Sequence, residues 1–323
     1  MPWPPAGPPL PAPFLCLAPL AGFSTPAFRQ LARRYGCDVT VSEMVSANGF
    51  HHGNTRTRNF FCLHHEPGPV GVQLFGTDPD QLLEAAQFAV SSGAAFVDLN
   101  CGCPVRKIIS GGSGAALLKQ PDQILRLVSF LAPRLPVPLT VKTRIGWDAG
   151  HPLFPDFVVA LQEAGAAALA LHGRFATQMY RGEADWSVIA ATVARAAIPV
   201  MGNGDLTTPA LAKQRWRDSG CAGLMIGRGA LGHPWIFGQV RAALAGTEFL
   251  EPSLAERLAV MLEHARLERS LIPAPPERIV LVALRAALSR YLAGFPGSRE
   301  LRMRMNRVES LAGLENLITP AAG

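Results

Sequence analysis

Residues 70–100 read VGVQLFGTDPDQLLEAAQFAVSSGAAFVDLN and contain one complete unit of the predicted fold. The unit opens with a short apolar run at 70–75, which predicts a strand buried on both faces. Asp78 and Pro79 follow, and a capping carboxylate directly before a proline is typical of the start of a helix. A second apolar run at 95–100 ends the unit. The stretch therefore predicts a strand, a helix and a second strand parallel to the first.

The same alternation recurs along the chain. Strand-like runs begin roughly 25 to 45 residues apart, which leaves room for one strand and one helix in each interval. Thr25-Pro26 and Thr208-Pro209 repeat the helix-start signal of Asp78-Pro79. Eight such units predict an α/β fold, a closed (β/α)8 TIM barrel, in preference to an open doubly wound sheet. The runs are residues 14–20, 39–44, 70–75, 95–100, 138–143, 168–172, 198–203 and 223–227.

From about residue 247 the pattern changes to helices. Residues 254–270, 278–293 and 301–311 have helical periodicity, and no strand-like run follows. We therefore expect a C-terminal all-helical domain after the barrel. The proposed boundaries are a proline-rich, disordered N-terminal segment at 1–13, the barrel at 14–246 and the helical domain at 247–323.

The charge balance is 30 basic against 24 acidic residues, a net charge of +6. With 49% hydrophobic residues, this composition excludes a disordered or strongly acidic protein. The excess is too small to establish a polyanionic partner by itself. Between residues 285 and 307, however, six arginines accompany one acidic residue, Glu300. This stretch is either a solvated helix face or a surface for a polyanion.

Cysteine usage and hydropathy indicate the compartment. The six cysteines lie mostly in apolar runs without a C-x-x-C pair, which is typical of reduced thiols. No window offers 18 uninterrupted apolar residues, and no Lys or Arg precedes Arg29 as in a secretory signal. We expect a cytoplasmic protein that does not associate with membranes.

Polar side chains end nearly every predicted strand, where barrel active sites form. Lys142 lies inside the apolar run VPLTVKTRIG, and because an unpaired buried ammonium is costly, a functional role is favoured. His172 closes LALHG and fits a core histidine as well as a ligand contact. The converging residues are Glu43, Gln73, Asn100, Lys142, His172, Asn203 and Arg228, with residues 19–22 after the first strand.

Two glycine-flanked turns follow the last two strands, GNGD at 202–205 and GRG at 227–229. Free backbone N–H groups at these strand ends bind phosphate in many barrels, and Arg228 can add a bidentate contact. The pattern favours a small phosphate-bearing ligand. Flavin mononucleotide, pyridoxal phosphate and sugar phosphates all remain open.

The loop after the fourth strand reads DLNCGCPVRK at 98–107. A cysteine at a strand end can act as nucleophile, metal ligand or acid, but C-x-C without a partner pair argues against a zinc site. A thiol with an ordinary pKa of about 8.5 is protonated near neutral pH and can donate a proton. We assign Cys101 a buried structural role.

These strings resemble the flavin-dependent tRNA-dihydrouridine synthases over about residues 14–310. DLNCGCP, VKTRIGW (141–147) and GNGD in this order are highly specific, and VSEM (41–44) with HPWIF (233–237) is closest to the bacterial B-type branch. Further matching strings are APLAG (18–22), VQLFGTDP (72–79), LHGR (171–174), YRGEADW (180–186) and MIGRGALGHPWIF (225–237).

The resemblance implies an oxidoreductase acting on a CH–CH group, with FMN as cofactor and NADPH as reductant. FMNH2 would give a hydride to C6 of a flipped D-loop uridine in tRNA, and Cys103 would give a proton to C5. The protein would act as a monomer. Implied cofactor-binding residues are Pro19, Leu20, Ala21, Gln73, Lys142, His172, Asn203, Gly204, Asp205, Gly227 and Arg228. Implied substrate-binding residues are Asn100, Lys107, Arg144, Arg174, Arg285, Arg302, Arg304 and Arg307.

The sequence departs from the family pattern at a few positions. Leu20 stands where Met is common, and Phe175 where Thr is usual. Residues 285–287 read Arg-Ala-Ala in place of Arg-Lys-His, although clustered arginines can contact phosphates without reading sequence. Two alternatives stay open. An FMN barrel that reduces a small molecule, of the dihydropyrimidine or dihydroorotate type, would not need the arginine-rich helices. An RNA-binding barrel without catalysis would not need Cys103, Lys142 and His172.

Overall fold

Eight parallel strands close into a barrel in chain order, with β8 beside β1. The computed structural model describes residue 3 and residues 10–54, 57, 60–63, 66–271, 275–295 and 297–322. The predicted (β/α)8 fold is confirmed. The strands are β1 (Phe14–Leu17), β2 (Val39–Ser46), β3 (Val70–Phe75), β4 (Phe96–Cys101), β5 (Leu139–Arg144), β6 (Ala168–His172), β7 (Val200–Asn203) and β8 (Gly223–Ile226).

Helices cover the outside of the barrel. The helix starts predicted at Thr25, Asp78 and Thr208 are confirmed, since each side chain accepts a backbone N–H of the following first turn. Short 3-10 turns lie at Gly114–Lys119, Ala132–Arg134, Ala176–Gln178 and Arg228–Ala230. The α-helices are α1 (Pro26–Arg34), α2 (Ala47–His51), α3 (Pro79–Ser91), α4 (Arg106–Ile109), α5 (Pro121–Leu131), α6 (Phe157–Glu163), α7 (Trp186–Arg195), α8 (Pro209–Ser219) and α9 (Ile236–Ala245).

The strand register places the predicted site residues side by side. Asn100 on β4 pairs with Lys142 on β5, and His172 on β6 pairs with Asn203 on β7. Because all strands run in parallel, these residues all lie near the carboxyl ends of the barrel, although His172 pairs with Arg144 on β5 and not with Lys142. The hydrogen-bond register therefore produces the convergence that the sequence predicted.

The amino-terminal end of the barrel is closed by aromatic rings. A Cβ atom at Gly71 would lie 2.2 Å from the Phe96 ring, so glycine makes room for that ring. Trp3 packs edge-to-face on Phe96, with ring centroids 4.6 Å apart. Residues 1, 2 and 4–9 of the expected disordered segment lie outside the described residues.

A helical region follows the barrel and comprises α10 (Leu254–Leu271), α11 (Glu277–Tyr291), α12 (Ser298–Met305) and α13 (Leu311–Ala322). Its hydrophobic core includes Trp235 from the loop after β8, so the region packs on the barrel. A Cβ atom at Gly232 would lie 2.4 Å from the Arg290 backbone, and glycine therefore permits this close approach. Among the described residues, no helix is both long and apolar enough to cross a membrane.

The third helix expected in this region, at 301–311, is wrong in its bounds. α12 ends at Met305 and a separate helix begins at Leu311. Between them the Val308 carbonyl accepts two hydrogen bonds from the Arg285 guanidinium, at 3.0 and 2.8 Å. The backbone is thus turned toward a side chain of α11 and leaves the helical path.

Candidate active site

A cavity of about 370 Å³ opens at the carboxyl ends of the strands, where barrel active sites form. Its volume lies within the usual range of small-molecule sites. Most of the predicted site residues line it: Pro19, Leu20, Ala21, Gln73, Asn100, Cys103, Lys142, Arg144, His172, Asn203, Gly204, Asp205, Gly227 and Arg228.

The remaining predicted residues lie elsewhere. Lys107 is exposed on α4, and Arg174 is buried behind the cavity with 1% of its surface exposed. The others lie in the helical region: Arg285, Arg302, Arg304 and Arg307.

Lys142 places a positive charge at the cavity. Its Nζ donates to Oδ1 of Asn203 at 3.1 Å, which is a neutral partner. Desolvation, with the Arg144 cation nearby, lowers the pKa of Lys142 to about 8. Asp98 opposes this shift, but both of its oxygens accept hydrogen bonds from the adjoining strands. A cation with a neutral partner in a cavity favours an anionic ligand.

A chain of hydrogen bonds joins the barrel interior to the cysteine loop. Gln73 Nε2 donates to Asp98 Oδ2 at 2.6 Å, and Asn100 Nδ2 donates to Gln73 Oε1 at 2.7 Å. Asn100 Oδ1 in turn accepts the backbone N–H groups of Gly102 at 3.1 Å and Cys103 at 2.9 Å. Asn100 lines the cavity as expected, and it also fixes the loop that carries the thiol.

The two cysteines of this loop have different environments. Cys101 is fully buried, and burial raises the pKa of its thiol. Cys103 is partly exposed at the cavity, and desolvation raises its pKa against the opposing effect of Lys142 and Arg144. A thiol with a raised pKa is protonated near neutral pH. The structure therefore offers Cys103, and not Cys101, as a proton donor to the cavity.

His172 presents a neutral ring to the cavity. The side chain is 7% exposed. Desolvation first, and then the nearby cations beginning with Lys142, lower the pKa of His172 well below its ordinary value. The neutral ring can therefore form a hydrogen bond with a ligand without adding a second positive charge beside Lys142.

Asp205 binds two arginines. Its carboxylate accepts from Arg174 Nη2 at 2.8 and 2.7 Å and from Arg228 Nη2 at 3.1 Å. Partial burial opposes ionisation, but hydrogen bonds from Ala184 N–H and Arg174 keep the pKa of Asp205 below its ordinary value. Because a carboxylate repels phosphate, we expect Asp205 to position the two arginines and not to bind an anion itself. A bound anion would then contact Arg228 and backbone N–H groups.

The turn after β7 requires glycine at position 204. Gly204 has φ +126°, in the region that favours glycine, and a Cβ atom there would lie 2.5 Å from the Ala184 Cβ. The same atom would lie 3.0 Å from Cδ2 of His172. The missing side chain therefore allows the turn to approach the His172 ring.

Tyr180 also lines the cavity, although the sequence reasoning did not select it. Its ring is 48% exposed and lies 4.8 Å from the Arg228 guanidinium and 5.5 Å from that of Arg144. Arg144 also donates to the carbonyls of Gly102 at 2.9 Å and Met179 at 2.8 Å, which joins the cysteine loop to the Tyr180 loop. In the sequence, Tyr180 could have been recognised as the aromatic residue that opens the matching string YRGEADW.

The predicted arginines of the helical region differ in exposure. Arg285 is partly buried and bonded to the Val308 carbonyl. Arg302, Arg304 and Arg307 are exposed, and the last two border a shallow groove between α12 and α13. These three arginines are therefore more accessible to solvent than Arg285.

Comparison with known proteins identifies one family. The family model described as dihydrouridine synthase (Dus) matches residues 16–322. The tRNA-dihydrouridine synthase B of Xanthomonas campestris pv. campestris is 39% identical over 93% of this chain and 90% of that protein. The tRNA-dihydrouridine synthase B of Pseudomonas aeruginosa is 37% identical over 91% of this chain and 88% of that protein. The probable tRNA-dihydrouridine synthase 1 of Synechocystis sp. is 36% identical over 94% and 85% respectively.

Among solved structures, an active chimera of (S)-mandelate dehydrogenase aligns with a TM-score of 0.50 and 14% identity, covering 72% of this chain and 73% of that one. This likeness shows the fold alone. The family match is different in kind, because it includes both the cavity and α10–α13. On this match and on these relatives, the chain belongs to the dihydrouridine synthase family of oxidoreductases, in its bacterial B-type branch.

Proposed function

We propose that this chain is a tRNA-dihydrouridine synthase that binds FMN, takes electrons from NADPH and reduces the C5=C6 bond of a D-loop uridine. Its family and the names of its relatives support the activity. One structural observation carries the chemistry. The protonated thiol of Cys103 and the Lys142 ammonium line the same cavity.

The cavity residues fit FMN. Lys142, whose hydrogen-bond partner is neutral, suits the ring edge that gains negative charge when the flavin is reduced. Pro19, Leu20 and Ala21 provide a largely apolar wall for the ring. The Arg228 side chain is 45% exposed and can reach a phosphate at the turns after β7 and β8.

Reduction of uracil requires a hydride at C6 and a proton at C5, and bound reduced flavin supplies the hydride. Cys103 supplies the proton because its raised pKa keeps the thiol protonated until the substrate is in place. Lys142 and Arg144 then stabilise the thiolate that remains, since both favour its charged form. The thiolate recovers a proton from solvent, which completes the balance of atoms and charge.

The substrate base must leave its stack to enter this cavity, at a cost of a few kcal/mol. Lys107 on α4 is exposed and would bind backbone phosphates near the cavity. Arg302, Arg304 and Arg307 form a second basic surface in the helical region. Contacts at both places would orient a folded tRNA while the base is extruded.

The experiment combines cofactor content with product analysis. The purified full chain should contain FMN, and with NADPH it should form dihydrouridine in tRNA. Cys103→Ala should retain FMN and NADPH oxidation but lose product, whereas the control Cys62→Ala should keep it. An unchanged yield in Cys103→Ala would remove Cys103 as the acid, and absence of FMN after reconstitution would remove the flavin site. Reduction of free pyrimidines in preference to tRNA would favour the small-molecule alternative.

A further inference from the structure

Residues 19–25, here called the mouth segment, connect the cavity with the helical region. Pro19, Leu20 and Ala21 line the cavity. Phe23 lines both this cavity and a second small cavity that borders His264 of α10. Thr25 caps α1 at the end of the segment. A displacement of the mouth segment would therefore move the cavity wall.

Two glutamates hold the mouth segment at separate points. Glu43 on β2 accepts the backbone N–H of Gly22. Glu268 on α10 accepts the Thr25 hydroxyl at 2.6 Å. The first contact comes from the barrel, but the second comes from the helical region, 243 residues further along the chain.

A buried guanidinium, that of Arg29, acts electrostatically on both carboxylates. Arg29 of α1 pairs with Glu66, and the two side chains are 2% and 1% exposed. Arg29 also donates to the Ser24 carbonyl at 2.6 Å, within the mouth segment. Glu268 itself is 4% exposed. Because Arg29 is already paired with Glu66, it compensates the buried Glu43 and Glu268 only in part, and a proton bound to Glu268 relieves the remaining charge.

The groups that face Glu268 favour that proton. Desolvation raises the pKa of Glu268 to about 7, Glu43 adds to the rise, and Thr25, Arg29 and the Ala27 N–H oppose it. Native packing raises the pKa of Glu268 above that of an exposed glutamate. Near neutral pH the packed side chain therefore holds a proton that it would release if it were exposed to solvent. The stability that Glu268 gives to this packing is therefore full below the ordinary glutamate pKa and is lost as pH rises through about 7, because desolvation and Glu43 outweigh the Thr25 hydrogen bond, which favours the ionised form.

We propose that Glu268 is a positioning residue by which the helical region fixes the mouth segment, and so the wall of the flavin cavity, through its hydrogen bond with Thr25. That the cavity binds a flavin rests on the proposed function. The role of Glu268 in fixing the mouth segment does not depend on it. Ionisation of Glu268 in this buried position beside Glu43 destabilises the packing of α10 against the mouth segment, although the carboxylate remains a good acceptor for the Thr25 hydroxyl. A ligand on the helical region and a ligand in the cavity are then coupled through this segment.

The first experiment measures hydrogen–deuterium exchange of peptides covering residues 19–25 in the full chain before flavin is added. Glu268→Ala should speed exchange about fivefold or more after correction for intrinsic rates. Wild type should lose protection between about pH 6 and pH 8. Glu268→Gln, which keeps an acceptor oxygen without charge, should stay protected at both pH values. The control is Glu263→Gln on the same helix, whose carboxylate is 44% exposed and pairs with Arg34 at the end of α1 opposite to Thr25.

Exchange in Glu268→Ala equal to that of the Glu263→Gln control would overturn the proposal. If Glu268→Ala does not fold, the comparison of wild type with Glu268→Gln decides alone. If the ratio of the exchange rates of wild type and Glu268→Gln is the same at about pH 6 and pH 8, the proposal is overturned.

The second experiment measures FMN affinity of the same proteins. From about pH 6 to 8.5, the Kd of wild type relative to Glu268→Gln should rise about three- to tenfold, and this ratio cancels titration of the flavin phosphate. A constant ratio would overturn the link to the cavity. Absence of FMN binding in every variant would instead contradict the proposed function, and the exchange experiment would still decide the role of Glu268.

Discussion

Arg174 Nη1 lies 3.2 Å from Nε2 of His172. Because a guanidinium can only donate, Nε2 accepts and Nδ1 carries the hydrogen of the neutral ring. The same guanidinium binds both carboxylate oxygens of Asp205. The family resemblance implied that Arg174 binds substrate. In the structure its guanidinium sets the tautomer of His172 and also contacts the turn after β7.

We expect His172 to stay neutral, with hydrogen on Nδ1, from about pH 5.5 to pH 8. Burial first, and then Lys142 and the neighbouring arginines, lower its pKa and oppose the imidazolium. Nitrogen-15 NMR of the histidine rings distinguishes the two tautomers and the cation. Arg174→Lys should release the tautomer, and the exposed control Arg195→Lys should not. Titration of His172 near pH 6.5 in wild type would contradict this view.

Lys142 should give FMN affinity a pH dependence near 8. Its pKa is lowered to about 8 in the protein, so the cation that attracts an anionic ligand is present below that pH and lost above it. The Kd of wild type relative to Lys142→Met should therefore be constant from about pH 6.5 to 7.5 and rise toward pH 9, and this ratio cancels the titration of Glu268 and of the flavin phosphate. Fluorescence titration measures this directly.

Substitution separates this lysine from the flavin's own titration. Lys142→Met should bind FMN about tenfold more weakly than wild type at pH 7, equivalent to ~1.4 kcal/mol, and this difference should shrink toward pH 9. Lys119→Met is the control, since Lys119 is exposed and lies outside the cavity lining. A profile in Lys142→Met that matches wild type would remove Lys142 as the source.

Two glycines with positive φ, Gly204 in the turn after β7 and Gly220 at the end of α8, test what an added side chain costs at each position. A Cβ atom at Gly204 meets Ala184 at 2.5 Å, but one at Gly220, with φ +63°, meets nothing within 4 Å. Gly220→Ala should therefore lower the free energy of unfolding by about 1 kcal/mol, which is the conformational cost alone. Gly204→Ala should cost about 2 to 4 kcal/mol because of the added clash, and it should also release FMN. Urea unfolding measures the difference, and equal losses would show that the clash is relieved without cost.

The barrel was predictable because its signal is local and repeated. Each buried parallel strand is an apolar run, and caps such as Asp78 and Thr208 mark the helices between them. The positions of Asn100, Lys142 and Asn203 at the cavity followed from the rule that barrel sites form at strand ends. These inferences need only the order of residues along the chain.

Side-chain partners were not predictable in this way. Arg174 has donors suited to a substrate, but Asp205 and two carbonyls occupy them, and nothing in LHGR indicates those partners. The bond between Thr25 and Glu268 joins distant segments whose approach depends on how α10 packs on the barrel. The break between α12 and α13 likewise depends on a side chain of another helix, Arg285.

The exposed arginines of the helical region should contribute electrostatic affinity for tRNA. Simultaneous replacement of Arg302, Arg304 and Arg307 by Ala removes three cations that are exposed to solvent. If each contacts one phosphate, affinity should fall at least about tenfold at low salt, and the slope of log K against log salt should decrease by about 2. Filter binding or anisotropy across a salt series measures both quantities.

The matched control replaces exposed arginines on the outer surface of the barrel, namely Arg126, Arg134 and Arg217. This control removes the same net charge but leaves the helical region unchanged, so it separates a local contact from the overall field of the protein. Equal losses in the two triple variants would assign the affinity to net charge. Unaltered affinity in the Arg302, Arg304 and Arg307 variant would make that surface a solvated helix face.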